Sequence, residues 1–109
     1  MLIQPTTGVN DVSSIKLSNG DEIIAKITDI TDQTVTVIRP LLMVLSQDPR
    51  TGQPGVQMAP FWIMGGDKDS KYPINRNHII CMIKANKDAA SNYTEMTTGL
   101  MVPSSGIIT

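Results

Sequence analysis

Apolar and polar residues alternate from Ser14 to Leu17, pause at Ser18-Asn19-Gly20-Asp21, and resume from Glu22. A period of two puts alternate side chains on one face, the mark of a strand half buried against a core. Asn-Gly between two such runs accepts the positive φ of a tight turn, so KLSNGDEIIAKITDIT predicts a β-hairpin. The return strand covers Glu22–Ile30, with Ile23, Ala25 and Ile27 on one face and Ile24, Lys26, Thr28 and Ile30 on the other. A second turn at Thr31-Asp32-Gln33 leads into a third strand, Thr34–Leu45, which alternates at Val35 and Val37 and turns continuously apolar after Arg39-Pro40. Proline cannot donate to a sheet ladder, so Pro40 marks an edge position or a bulge. A long strand bent at one point is what a small barrel requires.

The stretch SQDPRTGQPG, Ser46–Gly55, has loop chemistry throughout. Val56–Met64 predicts a fourth strand interrupted at Pro60, Gly65–Lys71 a polar turn, and His78–Lys84 a fifth strand. That last strand is apolar on both faces, Ile79, Cys81 and Ile83 against Ile80 and Met82, which predicts a neighbour covering one of them. Asn86 suits a helix N-cap, and Ala89, Tyr93, Met96 and Leu100 follow at helical spacing, with Gly99 as the C-cap. The expected architecture is all-β: a small, strongly bent five-stranded antiparallel barrel over residues 11–85, a flexible arm at 1–10, and a C-terminal helix and tail at 86–109.

Composition narrows the partners. A chain of 109 residues is one small domain, and 17% charged residues is thin cover for its surface, which predicts that part of it is buried in a partner or an oligomer. The net charge of −1 gives no global basic field toward nucleic acid, although Arg76, His78, Lys84 and Lys87 form a basic neighbourhood. A single cysteine excludes an internal disulfide framework and fits a reducing compartment. No charged start precedes an apolar block, and the longest apolar runs, Leu41–Leu45 and Ala59–Met64, are too short to cross a bilayer. The expectation is a cytoplasmic protein that engages no membrane.

Catalytic chemistry finds no constellation. His78 is the only histidine and makes neither a metal site nor a catalytic pair. Cys81 lies between Ile80 and Met82 and reads as a small buried apolar residue. Asp67-Lys68-Asp69 lacks the glycine and glutamate of a calcium loop, and Gly65-Gly66 lacks the lysine of a phosphate loop. Phe61-Trp62 reads as packing before it reads as a stacking platform for bases. No enzyme, cofactor or metal is expected.

The run Ile15-x-Leu17-x-Asn19-Gly20-x-x-Ile23-x-Ala25-x-Ile27 resembles the first signature motif of the Sm-like (Lsm) proteins, which carry a glycine where Ala25 stands. The resemblance implies a strongly bent five-stranded barrel that assembles into rings, strand four of one subunit pairing with strand five of the next. The interface would then fall on Val56, Met58, Phe61 and Ile63 of strand four and on Ile80 and Met82 of strand five. It also implies binding of single-stranded, uridine-rich RNA near the pore, for which Asp32, Arg76, His78 and Lys84 are the expected contacts. The family's nucleotide-contacting aspartate and asparagine fall on Thr31 and Val35, with Asp32 one residue away. Its second motif, Ile-Arg-Gly at the turn after strand four, falls on Ile63-Met64-Gly65 in the preferred register and on Ile83-Lys84-Ala85 in the other. The ending, with Tyr93, Thr98-Gly99-Leu100 and Val102-Pro103, is similar to small Sm-like proteins of T4-type marine phages, cyanophages in particular.

Overall fold

The computed structural model describes residues 7–61 and 69–98. Among them the chain runs β1 (Val12–Leu17), β2 (Glu22–Ile30), β3 (Thr34–Gln47), β4 (Pro54–Pro60), β5 (Lys71–Asn75), a 3-10 turn (Arg76–His78), β6 (Ile79–Lys84) and α1 (Lys87–Thr98). All pairings are antiparallel, in the order β4-β3-β2-β1-β6, with β5 also on β3. The protein is therefore mostly β, an antiparallel sheet with one short helix at its C-terminal side; the described ladders do not close into a barrel.

The opening hairpin forms as its pattern requires. Gly20 takes φ 98°, its amide donates to the Leu17 carbonyl at 2.9 Å, and Lys16 pairs with Glu22. β3 is longer than expected and reaches Gln47, because the loop is confined to Asp48–Gln53. Asp48 closes that loop: its amide donates to the Gln53 carbonyl at 2.9 Å and its carboxylate accepts from the Arg50 amide at 2.8 Å. Ser46 and Gly55, expected in the loop, are paired across the two strands.

The expected fourth strand is divided. β4 pairs with β3 from Gln47↔Pro54 to Leu41↔Pro60, and β5 continues along the same strand from Ile38↔Lys71 to Thr34↔Asn75. The two are legs of one edge, separated where β3 bulges at Arg39-Pro40. Lys71, expected in a polar turn, opens the second leg; residues 62–68, which carry the expected end of strand four and most of that turn, lie outside the described residues. Among the described residues, six strands thus stand where five were expected. His78, expected to open the last strand, instead ends the 3-10 turn.

Bulges decide which residues reach the core. Arg39, at φ 50°, and Pro40 lie together opposite Ala25, Thr28 is extra between Ile27 and Asp29, and Ile80 is extra between Ile79 and Cys81. Each extra residue reverses the alternation beyond it. Ile30 therefore packs on the same cluster as Ile27, and Leu42 on the same cluster as Val37. On β6, Ile79 and Met82 turn inward while Ile80, Cys81 and Ile83 remain exposed. Cys81 is a correction: the bulge puts its thiol outside, where simple alternation buried it. The core is Ile15, Leu17, Ile23, Ala25, Ile27, Val35 and Val37, with Phe61, Tyr72 and Ile74 packed against it.

α1 is capped as expected, Asn86 Oδ1 accepting from the Ala89 amide at 2.8 Å. It is fastened to the sheet by Tyr93, whose side chain is 2% exposed. The Tyr93 hydroxyl accepts from the Lys26 amide at 3.1 Å and donates to the Ile38 carbonyl at 3.0 Å. Those two groups face each other across β2 and β3 beside the Arg39-Pro40 bulge, so the phenol bridges the ladder where it is disturbed. Leading into β1, Thr7 is buried with its hydroxyl against Ser13, and the Asn10 amide donates to the Ile27 carbonyl at 2.7 Å.

Candidate nucleic-acid interface

Two turns meet through hydrogen bonds from Arg76. One is Thr31–Gln33, between β2 and β3; the other is Asn75–His78, between β5 and β6. Thr31 shapes the first by itself, its hydroxyl accepting from the Gln33 amide at 3.2 Å and the Thr34 amide at 3.0 Å. Asn75 shapes the second, its side-chain oxygen accepting from the Asn77 amide at 2.9 Å. Short polar residues do this in turns because their side chains reach the backbone two residues on.

Arg76 locks the turns together. Its backbone amide donates to the Gln33 carbonyl at 2.9 Å and its guanidinium donates to the Thr31 carbonyl at 2.8 Å. Between the turns lies a cavity of about 230 Å³ lined by Asp32, Gln33, Asn75, Arg76 and Asn77. The side chains of Asp32, Gln33 and Asn77 make no hydrogen bond among the described residues, so a carboxylate and two amides remain free to meet a ligand. Sites for drug-sized molecules run to about 300–1,000 Å³. This cavity is smaller, the size of a fragment with few polar edges.

Of the four expected contacts, the structure brings Asp32 and Arg76 together and separates the others. His78 lies across the 3-10 turn against the first hairpin, its carbonyl accepting from the Ser18 amide at 2.8 Å. Lys84 pairs with Ser13 at the far end of β6, on the order of 16 Å from Ile79 by strand rise. Val35 is fully buried in the core and offers no ligand contact, and Thr31 is engaged in its own turn. The turn entering the last strand carries Arg76, rather than either register expected for the second motif; Ile63-Met64-Gly65 lies outside the described residues. Gln33, Asn75 and Asn77 were not among the expected contacts. The alternation of Tyr72 and Ile74 was the signal that could have found them, since a strand there moves the last turn to Asn75–His78.

The residues expected at an oligomer interface fall into two groups. Val56 and Ile80 are 58% and 65% exposed, while Met58, Phe61 and Met82 are half-buried; Ile63 lies outside the described residues. Beyond Leu42, β3 has left β2, so Met43–Gln47 and β4 project as a two-stranded arm with Leu45 82% exposed. No three His, Cys, Asp or Glu side chains among the described residues gather as a metal site, and none of the described helices is long and apolar enough to cross a membrane. Asp69, part of the acidic Asp67-Lys68-Asp69 run, pairs with Arg39 at 3.4 Å. No family model matches the chain, and no curated protein matches it.

Proposed function

We propose that the chain is a non-catalytic Sm-like module that forms a cyclic homo-oligomer and binds single-stranded RNA in the cleft between its two interlocked turns. The observation that carries this reading is the convergence of Asp32 and Arg76 on one cavity, fastened by the Arg76 bond to Thr31. Support also comes from the strand order, in which the last strand returns beside the first, and from Arg76 at the turn where the Sm-like family keeps its arginine. A cleft this small makes a weak contact. A ring repeats it, and binding to successive nucleotides becomes intramolecular after the first, so affinity comes from avidity.

A second reading, a protein-assembly module without an RNA site, draws on the exposed apolar residues of the outer strands, Val56 on β4 and Ile80 and Ile83 on β6. Exposed edges carrying apolar side chains are sites where another chain adds a strand. The mass of the particle in solution, followed by titration of labelled oligo-U and oligo-A across a salt series, separates the readings. The RNA reading predicts a defined oligomer that binds single-stranded RNA saturably at physiological salt. An oligomer that binds neither strand, nor one that carries guanine, leaves the assembly module, and a monomer contradicts both.

A further inference from the structure

The free groups of the cleft between the two turns say which base it suits. The geometry points to guanine as the base read there, an inference that rests on the RNA-binding reading above. The lining holds one carboxylate and one guanidinium, so the site carries no net charge and Asp32 opposes a phosphate placed in it. Arg76 spends one guanidinium N–H on the Thr31 carbonyl and Asn75 spends its side-chain oxygen on the Asn77 amide, so both brace the turns while keeping further N–H donors. The lining thus holds a single acceptor-only group, the Asp32 carboxylate, among N–H donors of Gln33, Asn75, Arg76 and Asn77.

In a single strand the Watson–Crick edge of a base is open to side chains. A carboxylate is best met by two adjacent N–H donors, as in its bidentate pairs with arginine. Guanine presents that pair, N1–H and the 2-amino group, with O6 next to them to accept from an amide N–H of Gln33 or Asn77. Uracil sets one N–H between two carbonyl oxygens, which a carboxylate repels. Adenine and cytosine each place a ring-nitrogen lone pair beside the amino group, with the same result. Asp32 is exposed and free of partners, so its discrimination can be removed without disturbing the fold.

The test is fluorescence anisotropy with adenosine oligonucleotides that carry one central G, inosine, C, U or A, at fixed salt. The G oligonucleotide should bind about tenfold more tightly than the all-A strand, in line with a bidentate base contact. Inosine, which keeps N1–H and lacks the 2-amino group, should fall between them. In Asp32→Asn the preference for G should shrink to within about twofold. Binding of U or A as tight as G, or a G preference that survives Asp32→Asn, overturns the guanine assignment and leaves RNA binding standing. Failure of every oligonucleotide to bind overturns both.

Discussion

The Tyr93 hydroxyl joins three elements with one atom: it sits at the end of an α1 side chain, takes the Lys26 amide of β2 and gives to the Ile38 carbonyl of β3. Removing it takes one partner from each of two part-buried backbone groups, so Tyr93→Phe should cost about 1–2 kcal/mol in a urea melt. Burial raises the Tyr93 pKa, while the Lys26 amide bond and the Arg39 charge pull it down by less. The neutral phenol is therefore favoured in the folded state. Its contribution is fully present below the ordinary tyrosine pKa, near 10, and is lost as pH rises through the higher folded value. Wild-type stability should fall across that alkaline window by more than that of Tyr93→Phe, and parallel pH curves would contradict the assignment. At this scale the sequence shows Tyr93 on a helical face but not its bond, because nothing local connects it to a bulge on two distant strands.

Whole elements were legible where hydrogen bonds are local. The first hairpin and the capped helix follow from Asn19-Gly20 and from Asn86, each of which acts within a few residues. Replacing Asn86 by Ala should cost about 1 kcal/mol. Gly20→Ala should cost a similar amount, about 1 kcal/mol, because Gly20 holds φ 98°. Both are read as shifts in the denaturation midpoint with an unchanged slope. Core membership was less legible. Alternation assigns Ile30, Leu42 and Met82 to the wrong face unless the bulges at Thr28, Arg39-Pro40 and Ile80 are known, and bulges arise from pairing between strands. The interrupted edge was hidden for a similar reason: β5 is five residues long and contains Pro73, tolerable there because β5 lies at an edge. The cleft depended on that missed strand, since β5 carries the last turn to Thr31–Gln33. Asp32 and Arg76 could each be named from local chemistry. Their meeting could not, because the Arg76–Thr31 bond spans 45 residues.

Over the whole molecule, the exposed apolar residues of the outer strands and the cleft make separate demands. If β6 adds to a neighbour's edge, Ile80→Lys places a charge on the exposed face of that strand, at a residue outside the core. The variant should keep its secondary structure by circular dichroism and lose oligomer mass; unchanged mass would remove β6 from the interface. The cleft is tested most directly by hydrogen–deuterium exchange of the wild-type protein with and without a saturating single-stranded RNA. The account predicts slowed exchange in peptides that contain Thr31–Gln33 and Asn75–Asn77, with the Lys84–Lys87 region unchanged. Protection confined to Lys84–Lys87, or none at either turn, would contradict it.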